Sequence, residues 1–358
     1  MSDTAFLVLE NGMSFQGKCF GLRGDITGEI VFTTGMTGYL ETLTDQSYYG
    51  QIVLQTFPLI GNYGVIPSDF ESASAGARAY IVKHPCYTPS NFRSDGYLDS
   101  FLLQQGIIGL YNIDTRALTR IIREYGVMNG KITQESPDDL DLGEIRDYKI
   151  QNAVQQVSVP ERQYYATSSS DYTVALLDFG AKENIKRELI ARGCNVWVLP
   201  CNSKPDEITA LTPDGIILSN GPGDPVDNID IVETVKQLLR TGIPIFGICL
   251  GHQLLALASG FRTHKLKYGH RGTNQPVKCT QDGRVYISSQ NHGYAVSSDS
   301  INGHVAEEWF INGNDGTCEG LFYKEIPVFS VQFHPEACAG PRDTSFLFDR
   351  FIQSMGDI

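Results

Sequence analysis

The sequence predicts an α/β protein in two parts: a β-rich α+β domain at residues 1–150, and a domain at residues 172–358 built on a mostly parallel sheet with helices on both faces. Three observations support this prediction. The length of 358 residues favours two domains over one. Residues 151–171 lose apolar periodicity in favour of Gln, Ser, Glu and Pro, which predicts a linker. Beyond that segment, strand-length apolar runs alternate with helical patterns, as in a parallel sheet covered by helices.

The composition excludes several classes of protein. Hydrophobic residues make up 41% of the chain and charged residues 19%, which is ordinary for a globular protein. The formal net charge of -13, without a basic stripe, argues against a nucleic-acid partner. We find no long apolar span and no basic-then-apolar start, so neither membrane insertion nor secretion is expected, and the predicted location is the cytoplasm. The eight cysteines lack zinc spacing, which predicts reduced, mostly buried thiols and no metal site.

The first part of the chain reads as strands and turns with two helices. Apolar runs predict strands at residues 6–9, 29–33 and 51–56, and helical spacing predicts helices at 98–105 and 116–125. Asp114 or Thr115 is expected to cap the second of these helices. Two turns rich in glycine and hydroxyl groups, at 35–39 and 44–48, fit ordinary turn chemistry and could also present donors to a ligand or a partner.

The second part alternates strands and helices up to a cysteine. The predicted strands and helices are, in order, strand 173–177, helix 182–192, strands 196–199 and 215–218, helix 229–240, a strand into Cys249, strands 285–289, 320–323 and 328–333, and helix 345–355. Polar, glycine-rich segments at 178–180 and 219–225 directly follow apolar strands, as Cys249 does. Ligand chemistry in such sheets collects at the carboxyl ends of the strands.

A nucleophile is predicted at Cys249. Residues 243–258 run from a strand through Gly-x-Cys-x-Gly into an amphipathic helix that Gly260 ends. This is the cysteine version of the nucleophile elbow, in which small flanking residues allow a sharp turn. The helix N-terminus favours thiolate over thiol. A buried structural cysteine is the alternative.

A base and an oxyanion hole complete the predicted site. His334 follows a strand and has Glu336 two positions on, so the glutamate can orient the imidazole, as in a Cys-His-acid triad. His252, on the elbow helix, is expected to make a structural hydrogen bond. The N–H of Leu250 is one oxyanion donor, and the glycine loop 221–223 could bring a second. That loop lacks the spacing of nucleotide-binding motifs.

The motifs of the second part resemble the class I, or triad, glutamine amidotransferases. They are Gly-Ile-Cys-Leu-Gly-His-Gln at 247–253, His-Pro-Glu at 334–336 and Asn-Gly-Pro-Gly-Asp-Pro at 220–225, which occur in the right order and at suitable separations.

Four further segments resemble the family of small, glutamine-hydrolysing subunits of carbamoyl-phosphate synthases. They are Val-Phe-Thr-Thr-Gly-Met-Thr-Gly-Tyr at 31–39, Leu-Thr-Asp-Gln-Ser-Tyr at 43–48, Asn-Ile-Asp-Thr-Arg-Ala-Leu-Thr-Arg at 112–120 and Ser-Gln-Asn-His-Gly-Tyr-Ala-Val at 289–296. The resemblance covers both parts of the chain.

The resemblance implies a mechanism and a partner. Cys249 would attack the glutamine side chain, His334 would protonate the departing ammonia, and Glu336 would orient His334. The residues implied to hold glutamine are Ser47, Gly221, Gly223, Leu250, Gln253, Asn291, Gly293 and Tyr294. No cofactor is implied for this chain; ATP and Mg²⁺ would bind a large partner subunit, in a heterodimer or a higher assembly, with the first domain docking that partner and helping to form the ammonia path.

Two alternatives stay open. The chain could serve another triad amidotransferase, such as one for anthranilate, aminodeoxychorismate or GMP synthesis, although the first domain argues against this. It could also be a non-catalytic regulatory module on the same scaffold, although the triad is complete.

Overall fold

The structure, a computed structural model, describes residues 3–168, 170–337 and 339–356. Clustering of contacts divides the chain into two compact units, and the boundary falls between Gln151 and Asn152. Among the described residues, none of the helices is both long and apolar enough to cross a bilayer.

The first unit is built around a closed β-barrel. Its strands are β1 (Thr4–Leu9), β2 (Ser14–Gly21), β3 (Ile26–Thr33), β4 (Gln51–Gln55), β5 (Leu59–Ile60), β6 (Ala79–Val82), β7 (His84–Pro85), β8 (Ile108–Tyr111) and β9 (Met128–Thr133). Its α-helices are α1 (Tyr39–Thr44), α2 (Leu98–Gln104), α3 (Thr115–Tyr125) and α4 (Leu142–Arg146). The barrel order is β1-β2-β8-β6-β4-β3-β9, and β5 pairs with β7 outside it. Closure leaves the barrel strands without an open edge.

The sequence predicted β1, β3, β4, α2 and α3. Of the two proposed caps for α3, the structure selects Asp114, whose Oδ1 accepts a hydrogen bond from the N–H of Ala117 at 2.9 Å. This bond satisfies one of the N–H groups that a helix start leaves without a partner.

The second unit is a sheet between two layers of helices. Its strands are β10 (Gln163–Tyr165), β11 (Tyr172–Asp178), β12 (Cys194–Pro200), β13 (Gly215–Leu218), β14 (Ile245–Ile248), β15 (Thr263–Cys279), β16 (Val285–Val296), β17 (Ala306–Asn312), β18 (Cys318–Tyr323) and β19 (Val328–Val331). Its α-helices are α5 (Ala153–Val157), α6 (Glu183–Ala191), α7 (Pro205–Thr209), α8 (Ile229–Leu238), α9 (Leu250–Ala258) and α10 (Phe346–Gly356). The sheet order is β10-β12-β11-β13-β14-β19-β18-β17-β15-β16.

The predicted parallel sheet is confirmed for the strands that carry the site. Strands β12, β11, β13, β14 and β19 are parallel neighbours, whereas β18, β17, β15 and β16 extend the sheet in antiparallel fashion. Alternate residues of the parallel strands enter two cores. Leu177 and Leu218 pack on the side of α8 and α9, while Leu176 and Ile217 pack on the side of α6 and α10.

The segment predicted as a linker, residues 151–171, carries secondary structure of its own. It contains α5 and β10, and Val154 of α5 is fully buried in the core beside α8 and α9. Strand β10 pairs antiparallel with β12. Both elements are too short to show apolar periodicity, which explains the different expectation from sequence.

The cysteines of the described residues are free thiols. All of them are buried except Cys86, which is half-buried. Cys338 lies outside the described residues.

Candidate active site

Cys249 occupies a strained turn between β14 and α9. Its φ of 52° is unusual for a residue other than glycine. Such a conformation costs of order 1–3 kcal/mol and persists where its surroundings hold it. Here the N–H of Cys249 donates to the carbonyl of Val331 at 2.9 Å, and the N–H of Gly251 donates to the carbonyl of Ser219 at 3.0 Å. This is the geometry of a nucleophile elbow.

Close packing explains the glycines on either side of Cys249. A Cβ on Gly251 would lie 2.2 Å from the carbonyl oxygen of Leu218, and one on Gly247 would lie 2.5 Å from Cδ1 of Leu255. The helix start therefore sits against the sheet with no room for a side chain at these positions.

His334 and Glu336 meet beyond the end of β19. The N–H of His334 donates to the carbonyl of Ser289 at 2.9 Å, which ties this segment to β16. Nδ1 of His334 lies 2.6 Å from Oε1 of Glu336, and both side chains are buried. Nε2 of His334 is also buried, with no hydrogen-bond partner among the described residues.

In the His334–Glu336 pair, each side chain stabilises the charged form of the other. Burial and Lys182 oppose the positive charge of His334, but Glu336 and Cys249 outweigh them and raise the pKa of His334 to about 9. Burial opposes ionisation of Glu336, yet His334 and then Lys182, whose Nζ lies 3.9 Å from Oε1, lower the pKa of Glu336 overall. An imidazolium held against a carboxylate is the state that follows when His334 accepts a proton from a neighbouring thiol.

Two groups contact the sulfur of Cys249. The backbone carbonyl of Asn291 lies 3.7 Å from Sγ and can accept the S–H. Nε2 of Gln332 lies 3.6 Å from Sγ on the donor side. The sequence analysis missed Gln332, although its position two residues before His334 on an extended segment could have pointed to the same face.

Known proteins match both parts of the chain. Residues 175–354 match the family model for glutamine amidotransferase class-I, and residues 7–132 match that for the carbamoyl-phosphate synthase small chain, CPSase domain. The carbamoyl phosphate synthase small chain of Clostridium perfringens is 49% identical over 353 residues, or 98% of this chain and 99% of that one. That of Bacillus caldolyticus is 47% identical over 348 residues, or 97% and 95%. The chain belongs to the family of carbamoyl phosphate synthase small chains. The resemblance predicted from the motifs is confirmed, as is the prediction of an enzyme component.

Most residues that the family resemblance implies for glutamine binding surround Cys249. Leu250 is the first residue of α9, and the N–H groups at a helix start have no hydrogen-bond partner within the helix. Gly221 lies against Leu250, since a Cβ on it would be 2.8 Å from Cδ2 of that residue. Gln253, one helical turn further, donates through Nε2 to the carbonyl of Tyr294 at 2.9 Å. Asn291 and Tyr294 thus face the elbow from β16 of this small chain.

For the other three residues, the structure gives a weaker link to Cys249. Gly293 lies between Asn291 and Tyr294 on β16. Gly223 follows β13 with a φ of 87° and packs near Ala153. Ser47 belongs to the first unit, where its N–H donates to Oδ1 of Asp45 at 2.9 Å, and its part in a glutamine site stays a prediction.

His252 has the structural role expected from the sequence. Its Nδ1 lies 2.8 Å from the hydroxyl of Ser330, and burial lowers the pKa of His252 to about 3. The ring is therefore neutral at physiological pH and cannot act as the acid of the site.

A second histidine cluster lies outside the triad. His270, His292 and Glu319 bring potential ligand atoms within 4.8 Å of one another, although the sequence predicted no metal site. Nδ1 of His270 lies 3.3 Å from Oε1 of Glu319, and its Nε2 lies 2.9 Å from Oδ2 of Asp315. Burial opposes the charge, but Glu319 and Asp315 raise the pKa of His270 overall. Burial, in turn, raises the pKa of Glu319, so the cluster is a set of coupled acidic and imidazole groups joined by the contacts of His270 to Asp315 and Glu319.

Proposed function

We propose that this chain is the glutaminase subunit of a carbamoyl-phosphate synthase, acting through Cys249, His334 and Glu336. The observation that carries the proposal is the elbow cysteine together with a buried His334–Glu336 pair, in which Nδ1 and Oε1 are 2.6 Å apart. Family membership supports it. A cysteine that merely packed in the core would need neither a positive φ nor an oriented imidazole.

The proposed reaction has two halves. The thiol proton of Cys249 passes to Nε2 of His334, and the thiolate Sγ then attacks the side-chain carbonyl carbon of glutamine. His334 then gives that proton to the nitrogen as the C–N bond breaks, which releases ammonia and leaves a glutamyl thioester. Water attacks the thioester while His334 takes a proton from the water; the C–S bond then breaks to release glutamate, and His334 returns the proton to Sγ of Cys249. Glu336 orients His334 throughout and stabilises the imidazolium each time it forms.

The substrate would be held by groups around the elbow. The N–H of Leu250 and the 221–223 loop are the proposed oxyanion donors. By the family resemblance, Gln253, Asn291, Gly293 and Tyr294 would also hold glutamine, and Ser47 is proposed for the same role.

The product ammonia needs an acceptor enzyme. No ATP-binding motif is evident in this sequence, so we propose a large partner subunit that binds ATP and Mg²⁺ and makes carbamoyl phosphate from bicarbonate and ammonia. The first unit, with the segment 112–125, is the proposed docking part, and the proposed location is the cytoplasm.

The test is glutamate release from glutamine by the purified chain, with and without a carbamoyl-phosphate synthase large subunit, ATP and bicarbonate. Cys249→Ser should lower hydrolysis at least about a thousandfold, as loss of a nucleophile does. Cys194→Ser is the matched control, because Cys194 is a fully buried thiol at the start of β12, whereas Cys249 follows the carboxyl end of β14, and it should leave the rate unchanged.

Three outcomes would redirect the proposal. Hydrolysis that survives Cys249→Ser would remove the triad assignment. Hydrolysis that ignores the large subunit would assign the chain to another synthase. Failure to form a glutamyl thioester at all would favour a non-catalytic module.

A further inference from the structure

We infer that Gln332 is a catalytic residue whose side-chain amide donates a hydrogen bond to Sγ of Cys249 and stabilises the thiolate. This inference rests on the proposed glutaminase function and names a fourth side chain for it. Gln332 is fully buried and lies one residue beyond β19. Its backbone N–H donates to the carbonyl of Glu319 at 2.8 Å, so the residue is fixed at both its backbone and its side chain.

A backbone carbonyl decides which end of the Gln332 amide faces the sulfur. The carbonyl of Tyr294 can only accept a hydrogen bond, so the group of Gln253 that lies 2.9 Å from it must be the NH₂. The same NH₂ lies 2.9 Å from the amide of Gln332, which must therefore present its oxygen, Oε1. The NH₂ of Gln332 is left on the side of Cys249, 3.6 Å from Sγ.

The two polar contacts of the sulfur favour different protonation states. The carbonyl of Asn291, 3.7 Å away, accepts the S–H of a neutral thiol and loses that partner once the proton has moved to His334. The hydrogen bond from the NH₂ of Gln332 to Sγ becomes stronger when the proton leaves, because a hydrogen bond to an ionised acceptor is about twice as strong as one between neutral groups. Gln332 is thus the contact that favours the reactive form.

The same donor serves both halves of the reaction. In the first half, it stabilises the thiolate before attack on glutamine. In the second half, the thiolate is the leaving group when water opens the thioester, and the NH₂ of Gln332 again faces the sulfur on which the negative charge develops.

The experiment measures the rate at which iodoacetamide alkylates Cys249 between pH 5 and 10, with the modified peptide quantified by mass spectrometry. Gln332→Met keeps the volume of the side chain and removes the donor. We expect alkylation at pH 7 to slow by about tenfold or more and the pH midpoint to rise by about one unit, which matches the loss of a hydrogen bond to a charged group. Gln332→Glu should raise the midpoint further, because it places a carboxylate beside the sulfur.

Gln290→Met is the matched control. Gln290 is a buried glutamine of β16 whose Nε2 donates to the hydroxyl of Ser288, and its loss should leave the alkylation midpoint unchanged. If thermal unfolding shows that Gln332→Met does not fold, Gln253→Met takes its place. This variant keeps Gln332 but removes the hydrogen bond that orients its amide, and it should raise the alkylation midpoint by a smaller amount.

An unchanged midpoint in folded Gln332→Met would overturn the inference. Alkylation needs no glutamine, so the result stands even if the chain proves to hydrolyse none, and the two proposals fail separately. Steady-state rates add a second readout: kcat should fall more than KM rises, whereas a merely structural role would alter the melting temperature without moving the alkylation midpoint.

Discussion

Nδ1 of His334 lies 2.6 Å from Oε1 of Glu336, although a single proline separates the two residues. Pro335 fixes one backbone angle of the turn, and the carbonyl of Glu336 accepts a hydrogen bond from Nδ2 of Asn184. The short loop therefore holds both partners of a buried ion pair without help from a distant acid.

This ion pair predicts a pH-dependent stability. Because the pKa of His334 is raised to about 9 from an ordinary 6.5, its contribution is fully present below pH 6.5 and is lost as the pH rises through 9. It amounts to about 3 kcal/mol of unfolding free energy across that window. Glu336→Gln should flatten the decline, as measured by chemical denaturation at several pH values. Glu325→Gln, which changes an exposed glutamate, should keep it. Equal slopes in all three proteins would contradict the prediction.

The backbone of Cys249 predicts an inverted ranking of two substitutions. Alanine is normally more stable than glycine by up to about 1 kcal/mol, because glycine has more freedom in the unfolded chain. At a φ of 52° alanine keeps the strain and glycine relieves it. We therefore expect Cys249→Gly to melt at or above the temperature of Cys249→Ala, and both to lack glutaminase activity. A clearly lower melting temperature for the glycine variant would show that the turn is unstrained.

The tight contact at Gly251 predicts a large effect from one methyl group. Gly251→Ala would place Cβ 2.2 Å from the carbonyl oxygen of Leu218, which α9 can only avoid by shifting. We expect a loss of about 1–3 kcal/mol in unfolding free energy and slower alkylation of Cys249. In Gly303→Ala the new Cβ meets no atom within 4 Å, so that variant should behave like the parent. Parent-like stability of Gly251→Ala would indicate looser packing.

His252 predicts a loss of stability in acid. Burial lowers the pKa of His252 to about 3. As the pH falls below 6.5, the unfolded chain therefore binds a proton at this residue while the folded chain does not. Between pH 6.5 and 4.5 this should cost about 3 kcal/mol of unfolding free energy. His252→Asn should reduce that slope, whereas His304→Asn, at an exposed histidine, should retain it. The prediction fails if both variants show the same slope.

The sequence was most informative where local patterns decide the structure. The strand-to-helix switch around Cys249 and the alternation of strands and helices before it are local signals, and both gave the correct elements. The 17-residue β15 was not predicted, because its lysines, histidines and proline hide the strand pattern. Closure of the barrel was not predictable either, since it depends on pairings between distant strands.

The candidate site also combines residues that a local motif reveals with contacts that no local motif reveals. Cys249, His334 and Glu336 stood out by motif, but the contact between Gln253 and Gln332 joins residues 79 positions apart. Neither glutamine carries a local signal for it. The orientation of the Gln332 amide depends on a backbone carbonyl, which no residue type reveals.

Strand β10 has a practical consequence for anyone dissecting this chain. It covers the outer side of β12, with the ring of Tyr164 centred 4.5 Å from that of Trp197. A fragment that began at residue 172 would remove this cover and leave the N–H and C=O groups of β12 open to pairing with another molecule. A fragment that began at residue 152 would keep β10, which covers β12 and so protects it against aggregation.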